Sequence, residues 1–277
     1  MGVAEAMQSA LPGKRIVITR AAAQCEALSK ELSSRGAIPV VLPLISFGDP
    51  EDFSPLDAAI QKMEDFDWMI VTSAQAVRAV SARCESLGRT MVQEKHKPQV
   101  AAVGPVSAQA AEAAGLKVAY VAESHSGVAL AAELGERLRD RRVLLPRSDR
   151  ANPDLPLALK RRCAKVTEVV AYRTLHTADI DQRTLQNVAG GEADAVLFFS
   201  PSAVQHFEEL IGKGKLNALE HTMGLTAVGP VTANALRKTG VRRIFTSADT
   251  STASILEALE AHFAEEWMQR QTGVKKG

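Results

Sequence analysis

Val100–Gly115 reads VAAVGPVSAQAAEAAG and Leu225–Gly240 reads LTAVGPVTANALRKTG, with eight of the sixteen positions identical. Each starts as a short apolar run, turns at Gly-Pro and continues with helical spacing to a final glycine. Pro suits a first helical turn, because the N–H it lacks would have no partner there. A terminal glycine suits a helix C-cap. Each segment is therefore a strand, a turn and a helix, and the chain carries the set twice.

The duplication extends to both sides. Trp68–Val77 (WMIVTSAQAV) and Ala195–Val204 (AVLFFSPSAV) share Ser73/Ser200, Ala76/Ala203 and Val77/Val204. Lys14–Arg20 (KRIVITR) aligns with Arg141–Arg147 (RRVLLPR). The chain thus contains two copies of one five-strand unit, roughly residues 14–140 and 141–277. Strands are predicted at Arg15–Thr19, Ile38–Leu42, Trp68–Thr72, Gln99–Val103, Lys117–Val121, Arg142–Leu145, Val166–Ala171, Ala195–Phe199, Leu225–Val228 and Arg243–Thr246. Their apolar runs are continuous rather than alternating, as in strands covered on both faces. Amphipathic stretches such as Gln24–Arg35, Ala74–Cys84 and Val231–Lys238 lie between them. The expected class is α/β: two similar lobes, each a parallel sheet flanked by helices, with a cleft between. Residues 1–12 and about 266–277 have no assigned element and are expected to be mobile.

Composition narrows the partners. The 277 residues are 46% hydrophobic and 23% charged, as in a globular protein. Lys+Arg 33 against Asp+Glu 32 leaves a formal charge of +1, and only 4% of residues are aromatic. A nucleic-acid binder would carry a basic excess and stacking rings, so nucleic acid is not expected as a partner. No apolar run approaches bilayer length, and the opening MGVAEAMQSALPGK does not read as a signal peptide. Cys25, Cys84 and Cys163 are odd in number and far apart, which points to reduced thiols and a cytoplasmic protein. The near-neutral charge and the lack of an apolar stripe suggest a monomer.

The common catalytic sets are missing: no G-x-G-x-x-G, Walker A, G-x-S-x-G or H-E-x-x-H. The six histidines show no metal-ligand spacing, so no metal is expected. Gly212-Lys213-Gly214-Lys215 follows a helix rather than a strand and reads as a solvated helix end. What remains is a repeated chemistry where strands give way to helices: Thr72-Ser73, Gly104-Pro105-Val106-Ser107, Ser200-Pro201-Ser202 and Gly229-Pro230-Val231-Thr232. Ser and Thr there serve as helix caps. The same junctions, at the carboxyl ends of parallel strands, also line ligand crevices and offer N–H and hydroxyl donors to anions. The ligand this implies is a small molecule with several carboxylates or phosphates.

The ordered set of elements resembles the uroporphyrinogen-III synthase family over about residues 14–265. It comprises Thr19-Arg20; Ile38-Pro39 through Pro43-Leu44-Ile45; Val71-Thr72-Ser73; Val103-Gly104 with Ser107-Ala108; Val169-Val170-Ala171-Tyr172-Arg173-Thr174; Phe198-Phe199-Ser200-Pro201-Ser202; and Ala227-Val228-Gly229-Pro230 with Thr232-Ala233. The resemblance implies an enzyme that cyclises the linear tetrapyrrole hydroxymethylbilane to uroporphyrinogen III, inverting the last pyrrole ring and releasing water, without metal or cofactor. It implies discontinuous lobes, residues 13–44 with 175–277 and residues 47–171, linked by two strand connections. It makes Tyr172 the residue that helps the hydroxyl leave. It makes Ser73, Ser107, Ser200, Ser202 and Thr232 cleft-lining contacts. Arg20 and Arg147, at matching places just after a strand, are expected to pair with substrate carboxylates. Ala74, Ser107 and Ser148 depart from the family pattern, which usually has proline, often has threonine and in many members has glycine at these three places.

The alternative is a non-catalytic two-lobed binding protein for an anionic small molecule. A two-lobed sugar-nucleotide transferase is a further rival, but such lobes usually show Gly-rich loops and a charged catalytic residue. Tetrapyrrole carboxylates, but not nucleotides or sugars, should stabilise the fold of a synthase.

Overall fold

The structure is a computed structural model and describes residues 11–91, 98–124 and 126–271, the side chains of 23 and 266–271 excepted. Residues 1–10 and 272–277, for which mobility was expected, lie outside the described residues. Leu11 is buried in a core cluster, and the last helix runs on to Gln271, past the end anticipated near residue 265.

The first copy opens with β1 (Arg15–Ile18), α1 (Glu26–Ser34) and β2 (Ile38–Val41). A short strand, β3 (Ile45–Gly48), follows that the sequence did not reveal. The chain continues through α2 (Ser54–Gln61), β4 (Trp68–Val71), α3 (Ala74–Ser86), β5 (Gln99–Ala102), α4 (Pro105–Ala113), β6 (Val118–Val121) and α5 (Gly127–Leu134). The second copy holds β7 (Arg142–Ser148), α6 (Asp154–Arg161), β8 (Lys165–His176), α7 (Gln182–Ala189), β9 (Ala195–Phe198) and α8 (Pro201–Ile211). It closes with α9 (Leu216–Leu219), β10 (Gly224–Val228), α10 (Pro230–Lys238), β11 (Ile244–Ser247) and α11 (Thr252–Gln271).

The compact units do not coincide with the copies. Unit 1 comprises the residues up to Ser46 and those from Leu175 on; unit 2 is Phe47–Thr174. The sheet of five strands runs β11-β10-β9-β1-β2, and that of six runs β3-β8-β7-β4-β5-β6. Each sheet takes its leading strand pair from one copy and its remaining three repeat strands from the other. Pairing among the ten repeat strands is parallel, with the same register in both sheets where β1, β9 and β10 match β7, β4 and β5. Ile16 faces Ala195 in one sheet, and their counterparts Val143 and Trp68 face each other in the second. Leu225 faces Val196 as Val100 faces Met69. Apart from β3, the strand order is the doubly wound 2-1-3-4-5 arrangement, with its topological switch between β1 and β9 in unit 1 and between β7 and β4 in unit 2.

Strand burial follows from this layering. In β4 every residue is buried. Met69 and Val71 join a cluster with Leu56, Val77, Val80 and Ala111 from α2, α3 and α4. Trp68 and Ile70 join the opposite cluster with Leu130, Leu134, Leu155 and Leu159 from α5 and α6. The sheet is thus apolar on both faces, which is why its strands read as unbroken runs. In unit 1, Ile16, Ile18 and Leu197 pack on Leu28 and Leu32 of α1 and on Ile255 and Leu259 of α11. The outer strands β2 and β6 lack a fully buried residue, as sheet edges do. Gly115 and Gly240 stand just past α4 and α10 with φ +84° and +88°, left-handed conformations that glycine adopts without the Cβ clash.

Candidate active site at the carboxyl edge of unit 2

Ser73 ends the run after β4 with extended φ/ψ, and its Oγ accepts a hydrogen bond from the Ala76 N–H at 3.1 Å, capping α3. The same Oγ lies 3.3 Å from the Tyr172 hydroxyl. These two predicted site residues, 99 positions apart in the chain, are therefore brought into contact. Ser148 Oγ, at the end of β7, hydrogen-bonds Thr174 Oγ1 at 2.8 Å and donates to Asp149 Oδ1 at 2.9 Å. Asp149 in turn accepts from the Thr174 N–H and donates its own N–H to the Tyr172 carbonyl. The edge around the tyrosine is thereby held by strand ends and a tight turn.

A β-bulge aims the tyrosine. Register between β7 and β8 slips after Arg147, so that Arg147 faces Val170 while Ser148 faces Tyr172. Val169 and Ala171 point into the α2–α4 cluster. Regular alternation would turn Tyr172 to the other face. The extra residue returns it to the same side, where its ring packs against that cluster and meets Phe47 edge-on, centroids 5.4 Å apart at 89°. Burial raises the Tyr172 phenol above its usual range, offset in part by the Ser73 hydrogen bond. It is neutral at physiological pH and able to donate.

A cavity of about 430 Å³ opens beside this ring, lined by Phe47, Phe53, Gln75, Arg78, Arg83 and Tyr172 among others. Arg83 is fixed by a two-pronged ion pair to Asp57, both distances 2.6 Å, and stacks on Phe53 at 4.0 Å. Its hydrogen bonds hold the Asp57 carboxyl below the usual range. Arg78 is exposed on the same helix. Phe47, Arg78 and Arg83 carry no mark in the sequence, since only the fold lays α2 and α3 beside β8. The cavity joins aromatic rings to the exposed Arg78 guanidinium, with the Asp49 carboxylate also in its wall and Arg83 committed to Asp57.

The remaining predicted residues are placed as follows. In unit 1, Ser200 caps α8 by accepting from the Ala203 N–H at 3.2 Å, as Ser73 caps α3. The position equivalent to Tyr172 is Ile45, which is buried, so the phenol belongs to one unit alone. Ser202 is half-buried in the first turn of α8. Arg20 follows β1 and stacks on Phe199 at 4.7 Å. Arg147 departs from its expected place: β7 continues to Ser148, so it lies inside a strand and is buried. One Nη donates to Glu168 at 2.6 Å and the other to the Asn152 carbonyl. This commits its guanidinium to the protein rather than to a ligand. The strand can include Pro146 because β4 pairs only with Val143 and Leu144, leaving no partner for the N–H that proline lacks. Ser107 and Thr232 do not serve as the caps expected of them. The caps of α4 and α10 are Gly104 and Gly229, and the two hydroxyl residues sit three positions on, buried in the packed face.

Among the described residues no helix is long and apolar enough to cross a membrane. The family model for uroporphyrinogen-III synthase HemD matches residues 26–257. The chain belongs to the uroporphyrinogen-III synthase family. That family is one of tetrapyrrole-biosynthesis enzymes. Uroporphyrinogen-III synthase of Synechococcus elongatus is 29% identical over 227 residues, covering 80% of this chain and 85% of that protein. The chloroplastic uroporphyrinogen-III synthase of Oryza sativa is 27% identical over 265 residues, covering 92% and 83%. Among solved structures, a mutant uroporphyrinogen III synthase from Thermus thermophilus superposes with a TM-score of 0.62 at 23% identity, covering 93% of this chain and all of that one. This likeness bears on the fold, which is the two-domain α/β arrangement of the synthases.

Proposed function

We propose that this chain closes hydroxymethylbilane to uroporphyrinogen III, inverting the last pyrrole ring and releasing the terminal hydroxyl as water. The observation that carries the reading to particular residues is the contact between Ser73 and Tyr172 at the switch point of unit 2, beside a cavity with aromatic and guanidinium walls. The Ser73 oxygen accepts from Ala76 and keeps its own proton to give to the Tyr172 oxygen. In that arrangement the phenolic proton is left for a departing hydroxyl. As the carbon–oxygen bond breaks, the electron pair leaves with oxygen, and hydrogen bonding from the phenol stabilises the charge that develops there.

The substrate supplies most of the reactivity, since loss of its hydroxyl gives a conjugated pyrrole cation. The protein's task is to hold a flexible polycarboxylate so that the new carbon–carbon bond forms at the inverted position. Arg78 in unit 2 is assigned to a substrate carboxylate. In unit 1, Arg20, with Ser200 and Ser202 at the start of α8, takes the same role. Arg147 supports the tyrosine's surroundings by tying Glu168 to the Asn152 turn. No cofactor enters this chemistry. Three free cysteines, two of them buried with thiols pushed up by desolvation, fit the reducing cytoplasm, and the near-neutral charge fits a monomer.

The test is product identity. Hydroxymethylbilane closes by itself to the type I isomer, without ring inversion. Freshly generated substrate mixed with the protein should give mainly type III after oxidation and chromatography. Type I alone, from folded protein at high concentration, would overturn the assignment.

A further inference from the structure

The histidines show no ligand spacing along the chain, yet unit 1 brings two of them to one carboxylate. His176 ends β8; His206 and Glu209 lie three residues apart on α8, on one helical face. The two imidazoles meet edge to face with centroids 3.9 Å apart. His176 Nδ1 is 3.7 Å from Glu209 Oε2, and one donor atom from each of the three residues lies within 4.8 Å of the other two. Ligand atoms about 3.3 Å apart would satisfy a tetrahedral ion with bonds of ~2.0–2.1 Å, so small side-chain rotations close the set. His206 is buried, which fixes its ring. The side chains of His176 and Glu209 are 32% and 60% exposed, which leaves a route for an ion and room for water on its open side.

We propose that His176, His206 and Glu209 form a binding site for a divalent transition-metal ion of the zinc class. Two imidazoles and a carboxylate are the donors such ions prefer; the set lacks the thiolates of soft-metal sites and the all-oxygen shell of calcium or magnesium. The ion ties the end of β8, the strand by which the chain passes from unit 2 into unit 1, to the helix that begins at Ser200 and Ser202. Its part is structural, since three ligands from one strand and one helix clamp those elements together. The inference does not depend on the reaction assigned above, because binding is read without substrate.

The test uses the full chain, stripped with chelator and titrated with zinc by calorimetry and with cobalt(II) by visible absorption. One ion per chain should bind, with cobalt bands of a nitrogen–oxygen site, and zinc should raise the melting temperature. His176→Asn and Glu209→Gln alter partly exposed side chains and leave the fold intact. Each should weaken zinc binding by more than about tenfold, given that loss of even an outer-shell partner costs 10–100-fold. His206→Asn should abolish binding, but its burial makes it the weaker witness. Undiminished affinity in both exposed variants, or no binding at millimolar zinc, would overturn the site.

Discussion

The Ser73 hydroxyl oxygen is shared between the Ala76 amide at 3.1 Å and the Tyr172 hydroxyl at 3.3 Å. One side chain therefore caps a helix and orients the candidate acid. The two duties separate by mutation. Tyr172→Phe removes only the phenolic oxygen; melting should be nearly unchanged while kcat falls by up to about 10²-fold. Ser73→Ala removes the cap as well, so it should lose about 1 kcal/mol of stability together with a smaller fall in kcat. Melting curves and single-turnover product yields distinguish the two, and an unchanged kcat in well-folded Tyr172→Phe would leave the tyrosine as packing alone.

Because burial raises the Tyr172 phenol, the donor persists as the solution becomes alkaline. Turnover should show no loss attributable to this group between pH 7 and about 10, the ordinary tyrosine range. An alkaline limb near pH 8 that disappears in Tyr172→Phe would contradict the placement.

Arg20 and Arg147 occupy equivalent positions in the repeat but should respond oppositely to truncation. Arg147→Ala breaks a 2.6 Å ion pair and a carbonyl hydrogen bond made by a buried guanidinium. It should cost about 2 kcal/mol of stability. Arg20→Ala loses an aromatic stack worth only ~0.5–1 kcal/mol, and should chiefly raise KM. Denaturant unfolding and steady-state kinetics on both variants check the contrast.

The same pair of repeats gives a backbone test. Gly104 is extended, with φ −162°, whereas Gly229 has φ +85°. The two Gly-Pro turns are identical in sequence and different in conformation. Gly229→Ala should destabilise by more than about 1 kcal/mol, and Gly104→Ala should show no cost of that backbone kind. Thermal unfolding of the two variants is the measurement.

His262 lies buried between Phe245 and Phe263, and its pKa is lowered to about 4, first by desolvation and then by Arg243 and Lys14. The unfolded chain binds this proton near pH 6.5, the folded one only near 4. The unfolded state thus holds more protons within that window, and stability must fall as pH drops from 6.5 toward 4. The loss attributable to this group reaches about 3 kcal/mol. Urea unfolding at pH 7 and pH 5 should show it, and His262→Leu should flatten the difference. Gly224 belongs to the same packing: a Cβ there would run into the His262 ring.

Local pattern carried much of the fold into the sequence. The runs WMIV and AVLF announce strands covered on both faces, and Gly115 and Gly240 announce helix ends, because these depend on residues a few positions apart. The exchange of strand pairs depends on which copy β1 meets, and nothing within β1 encodes that; only the family resemblance carried a discontinuous chain. β3 escaped because Ile-Ser-Phe-Gly is four residues with one buried position. Tyr172 was legible through resemblance, yet its contact with Ser73 rests on a bulge without a sequence mark. Arg147 misled because a proline precedes it, which reads as a strand end until the missing partner on one side of β7 is seen. His176 and His206 are 30 positions apart, outside any spacing rule.

The exchange of leading strand pairs also imposes an order on synthesis. Phe47–Thr174 is uninterrupted, so unit 2 can close once its last strand has left the ribosome. β1, made first, has to wait for β9; the hydrogen bond from Thr19 Oγ1 to the Leu197 carbonyl closes a span of 178 positions. At about 5–20 residues per second, that wait lasts on the order of ten seconds or more. The thermodynamic cost of so long a loop is small, because closure entropy grows only with the logarithm of length. The kinetic exposure is not small: Ile16, Val17 and Ile18, all fully buried in the finished protein, have only the edge strand β2 beside them until β9 arrives. A stalled or truncated nascent chain would therefore present this apolar strand to chaperones, or to another copy of itself, while the contiguous unit behind it is already folded.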